Sequence, residues 1–509
     1  MRITLDFDSR RGRSLIRSAA GLLALGAIAW PLWAGASQVS GLITFSPGGL
    51  IKSADFNANF QALATAINDA DSRVTTVTGQ VNGQSSQLNT QATEIANLQA
   101  LVTTLQSQNA TLAQQLAGAR FVEAASVTGV ADSAFAGVGL SGAGIASSDG
   151  FSCAVDANNR IVVAGKLTPS STMLLARFGP DGTLDASFGT NGLVNPATAG
   201  GVGFGVVIDS GGRIVVAGQA NDPVAGMAMA VWRFNPDGSA DATFGTNGVL
   251  IPKSPGGFDI GHGVTLDPSG RILVTGQSTA GHSVVAIWRV TGTGTLDATY
   301  GTGGVAIDPT PLGIGVAIVL DSSGRAVVAG SLDSSMGVWR FTTSGALDGT
   351  FGAGGSYASP LASAFGAAVT LDASGRILVG GEEVVGGSPE MAVWRLTTGG
   401  VLDGNFAAGG LFIVGTAGSG AGGIQVDVAG RIVVGGASNG VNTVAAWRIT
   451  PGGALDGSFG TGGVVTSIFP NPQFSVVSNG MVLDPTGGII VAGEIGVAGV
   501  PGLAVFRFR

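Results

Sequence analysis

The chain has 509 residues, of which 87 are glycine, 45% are hydrophobic and only 11% are charged. A chain of this length and apolar content can bury a large core, which excludes a disordered polyelectrolyte. The net charge of −8 argues against nonspecific nucleic-acid binding, and one cysteine with two histidines provides few ligands for zinc. Val- and Ala-rich segments separated by glycine turns predict an all-β fold.

Residues 1–36 have the pattern of an export signal or membrane anchor. A basic start precedes the apolar run 18–36, and Ala34-Gly35-Ala36 matches a small-residue cleavage site. Retention as an anchor is the alternative to cleavage, although the run is short for a membrane span and contains Pro31. We therefore expect an exported protein, located outside the cell, at its surface or in the periplasm. Membrane contact is expected only if residues 18–36 are not cleaved.

Residues 60–117 carry a heptad repeat that predicts a coiled-coil stalk. Counted from Phe60, eight of the nine a positions are apolar, and the exception is Asn109. We expect a homo-oligomer, a dimer or a trimer, formed through residues 60–116. A single amphipathic helix lying on the next domain is the alternative. The preceding segment 37–59, which contains GLITFSPGGLIKSADF, resembles a short leader found before stalks in exported bacterial and phage-tail proteins.

Residues 118–509 contain three motifs that recur seven times in a fixed order. The first is an Asp-x-x-Gly-Arg turn before an apolar run, as in DSGGRIVVAG at Asp209. The second is an arginine after an apolar or aromatic pair, as in AVWRF at Arg233. The third is LDxxFGxxG, as in LDASFGTNG at Asp185, with a degenerate copy ADSAFAGVG at residues 131–139. Repetition of this kind predicts an array of equivalent supersecondary units.

Each unit of about 55 residues predicts four short strands, the fourth of which holds the LDxxFG motif. Seven four-stranded sheets indicate a seven-bladed β-propeller, and an open β-solenoid is the structural alternative. The array begins within the last strand of a unit, at the copy 131–139, and finishes with the third strand of the seventh unit. We expect these terminal strands to pair, which closes the ring and removes both exposed edges.

The units resemble delta-60 repeats, whose signature is this succession of a DGR turn, a Trp-Arg or Phe-Arg hairpin and LDxxFGxxG. The resemblance covers residues 130–509. It implies a β-propeller in a bacterial, often exported protein, in a family without an established activity. The sequence departs from its own pattern at Gly488, which replaces the turn arginine, and at Ala407, which replaces the glycine of FG.

The repeated charged and aromatic residues are predicted to be architectural, because a catalytic group is needed only once. We expect Arg–Asp contacts within or between blades, packing of the repeated tryptophans between blades, and a buried thiol at Cys153. Calcium sites in the LDxxFGxxG loops are the alternative for the aspartates, but these loops offer too few oxygen ligands. No motif predicts a catalytic residue, a metal site or a cofactor.

Four residues are candidates for binding. His262 lies on the innermost strand, five residues before Asp267, the Asp that begins the Asp-x-x-Gly-Arg turn of its unit. At this position it can face the central channel. His282 lies in the loop TAGHS, and Glu382 and Glu383 form a pair of carboxylates in another variable loop. The predicted function is a non-enzymatic binding scaffold that recognises a glycan, a protein or a surface. The alternatives are a propeller hydrolase with an acidic, metal-assisted site at the channel mouth, and an envelope spacer without a ligand.

Overall fold

The computed structural model describes residues 53–126, 130–132, 134–135, 140–141, 148–168, 170–196, 201–222, 226–252, 257–279, 282–438, 443–468, 476–497 and 500–509. The predicted signal segment 1–36 and residues 37–52 of the predicted leader lie outside this part of the chain. The chain divides into two units, Met1–Leu112 and Ala113–Arg509.

One helix, α1, spans Ser53–Ser126 and contains no proline. It begins within the predicted leader and continues beyond residue 117, so the helix is longer than the heptad pattern. Several threonine hydroxyls donate to the carbonyl four residues earlier, as Thr65 does to Gln61 at 2.9 Å. Within the described part of the chain, no helix combines the length and the apolarity that crossing a bilayer requires.

The apolar heptad side chains of α1 are exposed to solvent in the single chain. Eight of them have between 42% and 64% of their surface exposed: Leu63, Ile67, Val74, Val81, Leu88, Ile95, Leu98 and Val102. A row of exposed Leu, Ile and Val at heptad spacing is typical of a helix that packs against a partner helix. Oligomerisation through residues 60–116 remains a prediction.

The repeat region folds into seven four-stranded antiparallel sheets, which confirms the predicted seven-bladed β-propeller. The innermost strands of blades 1 to 7 are β2 (Ser148–Val155), β6 (Val202–Ile208), β10 (Asp259–Leu266), β14 (Gly313–Leu320), β18 (Ala364–Leu371), β22 (Gly420–Val426) and β26 (Val476–Leu483). The second strands are β3 (Ile161–Leu167), β7 (Ile214–Asp222), β11 (Ile272–Ser278), β15 (Ala326–Leu332), β19 (Ile377–Val385), β23 (Ile432–Ala437) and β27 (Ile489–Val497).

The third and fourth strands complete each blade toward the outside. The third strands are β4 (Thr172–Phe178), β8 (Gly226–Phe234), β12 (Val284–Val290), β16 (Ser335–Phe341), β20 (Ser388–Leu396), β24 (Thr443–Ile449) and β28 (Val500–Phe508). The fourth strands are β5 (Leu193–Val194), β9 (Val249–Leu250), β13 (Val305–Ile307), β17 (Ser356–Ala358), β21 (Leu411–Ile413), β25 (Val464–Ile468) and, for blade 7, β1 (Leu140–Ser141).

The hydrophobic core lies between neighbouring blades rather than within one sheet. In one cluster, Val162 and Ala164 of blade 1 pack with Val216 and Trp232 of blade 2. The repeated tryptophans are all buried in such layers, as predicted: Trp232, Trp288, Trp339, Trp394 and Trp447. Both faces of each β-sheet are therefore covered, which explains why the second and third strands are continuous apolar runs.

The ring is closed by strands from both ends of the repeat region, as predicted. Leu140 pairs with Phe506 and Ser141 with Val505, so β1 supplies the fourth strand of blade 7. Ahead of it, the backbone of Val130 exchanges two hydrogen bonds with Arg509, at 2.7 and 2.8 Å. Residues that precede the first blade thus cover the edge of the last, which leaves that edge protected from pairing with another chain.

The LDxxFG motif is not the fourth strand, contrary to the prediction. In blade 1 only Leu184 makes a bridge, residues 186–189 form a turn, and β5 begins at Leu193. The Asp185 carboxylate accepts hydrogen bonds from the amide and hydroxyl of Ser187, which fixes the bend locally. The motif turns the chain, and the strand follows it.

Candidate functional site

In blades 1 to 6, the arginine of the third strand forms an ion pair with the Asp of the LDxxFG motif, and a second Arg–Asp pair lies in the turn before the second strand. In blade 2, Arg233 Nε donates to Asp241 Oδ2 at 2.8 Å, and the guanidinium lies 4.5 Å from the ring centroid of Phe244. Both charged side chains are buried, and the phenylalanine is the one in the LDxxFG motif. The three most regular residues of the repeat therefore form a single contact that anchors the outer turn.

The same arginines connect each blade to the next. Arg233 Nη1 donates to the carbonyl of Gly292 at 2.7 Å, and Arg289 Nη1 donates to that of Thr343 at 2.8 Å. Arg507 in blade 7 reaches the carbonyl of Pro180 in blade 1 at 2.8 Å, across the closure of the ring. The prediction of structural Arg–Asp contacts within and between blades is confirmed.

The two predicted irregular positions are accommodated differently. Gly488 leaves Asp484 without the neighbouring turn arginine, and Arg507 Nη2 donates to Asp484 Oδ2 at 2.5 Å instead. Arg507 is consequently displaced from the aromatic ring of the motif: it lies 5.9 Å from Phe135, compared with 4.4–4.7 Å in the other six blades. Ala407 adopts the positive φ of 43° that glycine provides in the equivalent turns.

The innermost strands differ from the other strands because each contains a β-bulge. In β10 the register jumps from Gly261 to Gly263, so His262 has no cross-strand partner. A bulge bends the strand and re-aims the extra side chain. The residues skipped by the register in blades 1 to 7 are Phe151, Phe204, His262, Val316, Ala367, Gly422 and Asn479. We call this set the bulge ring.

The bulge ring borders the central channel of the propeller. Its first six members line a cavity of about 370 Å³, together with the two or more residues that follow each of them on the innermost strand. The residue directly after each bulge is Gly, Ala or Ser, because the inner strands approach closely. A Cβ on Gly263, for example, would lie 2.7 Å from the carbonyl oxygen of Val316 in the next blade. The wall is therefore made of closely packed backbone, with the bulge ring as its largest variable part.

The bulge ring is uneven around the channel. Blades 1 to 3 contribute aromatic rings, with centroids 5.3 Å apart between Phe151 and Phe204 and 5.2 Å apart between Phe204 and His262. Blades 4 to 6 contribute Val316, Ala367 and Gly422, whose side chains become progressively smaller. The channel therefore has an aromatic side, formed by three tilted rings in contact, and an open side opposite to it.

His262 belongs to the aromatic side of the channel, as its position in the repeat predicted. Burial lowers the pKa of its imidazole to about 4, so the ring is neutral near pH 7. His282, in contrast, is exposed in the loop before β12 and does not line the channel cavity. The structure does not bring the two histidines together.

Glu382 and Glu383 do not form a pair of carboxylates in a loop. Both lie on strand β19, where successive side chains point to opposite faces. Glu382 is directed toward blade 6, where a Cβ on Gly420 would lie 3.1 Å from its Oε2. Glu383 is buried, and its Oε2 has no hydrogen-bond partner among the described residues. Burial raises the pKa of both carboxyl groups. The structure therefore places the two carboxyl groups on opposite faces of a strand rather than side by side in a loop.

A charged cluster that the sequence did not reveal lies where blades 7 and 1 meet. Lys166 Nζ lies 3.1 Å from Asp149 Oδ2 and 5.8 Å from the ring centroid of Phe151. Burial and the neighbouring Asp149 raise the pKa of Glu494 in blade 7. Across the described residues, no three His, Cys, Asp or Glu side chains are grouped so that they could hold a metal ion.

Cys153 follows the bulge in blade 1 and packs in the core, as predicted. Its neighbours in the same cluster include Val163 and Val505, and burial raises the pKa of the thiol to about 12. The thiolate, which is the nucleophilic form, is therefore suppressed at neutral pH.

Five segments match the family described as a domain of unknown function (DUF5122) beta-propeller: residues 157–188, 212–244, 268–300, 373–406 and 430–459. These segments cover less than half of the chain. They begin in the turn after an innermost strand and finish at the LDxxFG bend, so they follow the structural repeat. The chain is a β-propeller repeat protein. No curated protein matches it.

Several solved structures are similar in fold at low identity. One is an ulvan lyase of a new polysaccharide lyase family, 12% identical, with 71% of this chain and 95% of that chain covered and a TM-score of 0.42. Sqt1 from Chaetomium thermophilum is 13% identical, with 71% and 97% covered and a TM-score of 0.39. NanB sialidase from Streptococcus pneumoniae is 9% identical, with 72% and 68% covered and a TM-score of 0.36.

Proposed function

We propose that the protein is an exported, non-enzymatic binding protein that presents its propeller on an oligomeric coiled-coil stalk, and that the central channel is the binding site. The unevenness of the bulge ring carries this proposal. The repeat arginines, aspartates and tryptophans are nearly identical from blade to blade and are engaged in packing and ion pairs. At the bulge, by contrast, the side chains of blades 1 to 6 range from phenylalanine to glycine on the same backbone.

Variation at one position of a regular scaffold is typical of a recognition surface. An architectural role would favour the same side chain in each blade, since each bulge has the same register. The cavity of about 370 Å³ also lies within the range of ~300–1,000 Å³ that small-molecule sites occupy. An oligomeric stalk would present several such channels together and raise the avidity for a surface that carries many ligand copies.

The proposal is tested by filling the open side of the channel in the full-length protein. Ala367→Phe adds a ring opposite the aromatic side, and Val401→Phe adds the same ring at an exposed outer turn as a matched control. Both variants and the parent chain are applied to a glycan array, an array of envelope proteins and isolated cell-envelope fragments. We expect a ligand that the parent and Val401→Phe retain and that Ala367→Phe loses.

Two outcomes contradict the proposal. Retention of the ligand by Ala367→Phe places the binding site outside the channel. Absence of any ligand for the parent chain favours an envelope spacer instead. Turnover of a bound glycan, detected as new reducing ends or unsaturated products, would favour the hydrolase or another enzyme in place of a binding protein.

A further inference from the structure

The lining of the channel cavity contains no charged side chain among the described residues. Its polar side chains are His262, Ser152 and Gln425, and its remaining side chains are aromatic, aliphatic, sulfur-containing or absent. Gln425 is partly committed, because its Oε1 accepts the amide of Leu483 at 2.9 Å. Lys166, whose Nζ lies 5.8 Å from the Phe151 ring centroid, is already paired with Asp149. A charged ligand would therefore lose its hydration here without gaining an unpaired counter-charge, so the lining favours an uncharged ligand.

The aromatic side offers a broad apolar surface to that ligand. Phe204 is its centre, because its ring contacts Phe151 on one side and His262 on the other. The rings are tilted by 48° and 52° to each other, which gives a curved wall rather than a slot for a flat molecule. Such a wall fits the C–H face of a puckered ring.

The same wall also offers polar groups beside the rings. At each bulge the ladder skips one residue, which has no Cα partner on the neighbouring strand, so its side chain is re-aimed. The open side adds the backbone of Ala367 and Gly422, which have little or no side chain to shield them. The neutral imidazole of His262 provides one donor and one acceptor at the edge of the aromatic side.

From this combination we infer that the channel binds a neutral pyranose, a single unit of an uncharged glycan, with one C–H face on Phe204 and its hydroxyls toward His262 and the open side. The inference rests on the proposed function and adds the ligand class. An apolar aromatic molecule would use the rings but would make no hydrogen bond to the imidazole of His262. A uronate or an amino sugar would place a charge against an uncharged wall.

The test is saturation-transfer NMR and calorimetry on the full-length protein with defined probes. The neutral probes are the methyl pyranosides of glucose, mannose, galactose and rhamnose, and the charged probes are methyl glucuronoside and glucosamine. We expect at least one neutral pyranoside to bind, with saturation strongest on the protons of one ring face. The uronoside and glucosamine should bind at least tenfold more weakly.

Three variants locate the binding. Phe204→Ala should weaken the neutral pyranoside roughly five- to tenfold, and His262→Phe, which keeps a ring of similar size, should weaken it by a similar factor because it removes the hydrogen bonds. Ala367→Phe should abolish binding. Val401→Phe, with its ring in the outer turn, is the control and should leave the dissociation constant unchanged. Circular dichroism verifies that each variant retains the fold. If Phe204→Ala does not fold, Ala367→Phe still tests whether the pyranoside binds in the channel.

Each other result overturns the inference in a recognisable way. If phenol or indole binds in the channel and no pyranoside does, the ligand class is wrong while the proposed function survives. The same holds if a charged sugar binds more tightly than its neutral counterpart. If a pyranoside binds equally well to the parent chain and to Ala367→Phe, the sugar site lies elsewhere and the channel proposal fails with it.

Discussion

The third-strand arginine of blades 1 to 6 contacts several different groups, which explains why lysine does not occupy this position. Arg289 pairs with Asp297, lies 4.4 Å from the ring centroid of Tyr300 and donates to the carbonyl of Thr343 in the next blade. A planar guanidinium can donate along two edges while stacking on a ring, and an ammonium cannot. The hydrogen bond from Thr350 and the ion pair with Arg340 lower the pKa of Asp348 to about 2, so the equivalent pair in blade 4 remains ionised.

Glu383 is the residue from which we expect a pH-dependent effect on stability. Only 4% of its surface is exposed, and burial raises the pKa of its carboxyl group above the unfolded value. A raised pKa means that the folded state holds the proton more tightly, so the stability present below the unfolded pKa is lost as the pH rises through the folded pKa. Glu383→Gln should therefore raise the melting temperature at pH 8 and change it little at pH 4.

The measurement is thermal unfolding of the parent chain, Glu383→Gln and Asp333→Asn between pH 4 and pH 8. Asp333 is exposed in a turn of blade 4, and asparagine tolerates its positive φ of 48°. The control should therefore follow the parent curve. A Glu383→Gln curve that runs parallel to that of the parent chain would show that the carboxyl group does not titrate differently in the folded state.

The candidate site could be predicted only in part from single residues. The sequence alone aligns His262 with Phe151, Phe204 and Val316, because each of the four lies five residues before the Asp that begins the next turn. The bulge was not readable, since a register shift depends on how two strands pair and leaves no motif of its own. Glu382 and Glu383 were misjudged because a variable loop was expected where β19 continues as a strand.

At the scale of elements, the repeat motifs predicted the blades and the closure but misplaced the fourth strand. The LDxxFG segment has the alternation of a strand, yet its Asp side chain caps a turn through Ser187 and its Phe side chain lies under Arg177. The true fourth strand is as short as two residues in blade 1, which is too short for a periodic signal. The recurrence of the motifs predicts where each blade lies. Side-chain contacts within the LDxxFG segment determine that it forms a turn and that the residues after it form the strand.

The closure is the element whose weakening should open the ring. Val130→Pro removes the amide that donates to the Arg509 carbonyl at 2.7 Å. We expect a loss of about 1–3 kcal/mol in the free energy of unfolding, because a strand-edge hydrogen bond is lost where the two ends of the repeat region pair. Limited proteolysis should then cut first near the junction of blades 7 and 1.

A second valine-to-proline substitution, in a turn away from the closure, provides the control. Val428 occupies the turn position at which Pro268 and Pro485 stand in blades 3 and 7, so Val428→Pro should fit without strain. Its stability should equal or exceed that of the parent chain. Equal resistance to protease and urea in Val130→Pro and Val428→Pro would contradict a role of the Val130–Arg509 pair in closure.

At the scale of the whole molecule, the two units have different kinds of surface. The propeller buries its repeated tryptophans between blades, whereas α1 exposes a row of Leu, Ile and Val side chains at heptad spacing. Charged residues are scarce along the helix. In the single chain, the apolar row is in direct contact with water. The exposed area is covered most simply by the same row of another copy, because identical heptads place a and d residues opposite each other.

We therefore expect the purified full-length protein to sediment as a dimer or a trimer at micromolar concentration. Leu88→Asp places a charge in the middle of the apolar row and should shift the protein to monomers, because like charges would meet in the buried seam. Thr90→Asp adds the same charge two residues away, outside the a and d positions, and should leave the sedimentation coefficient unchanged. A monomeric parent chain, or equal dissociation of the two variants, would contradict the stalk and reduce the avidity argument to a single channel.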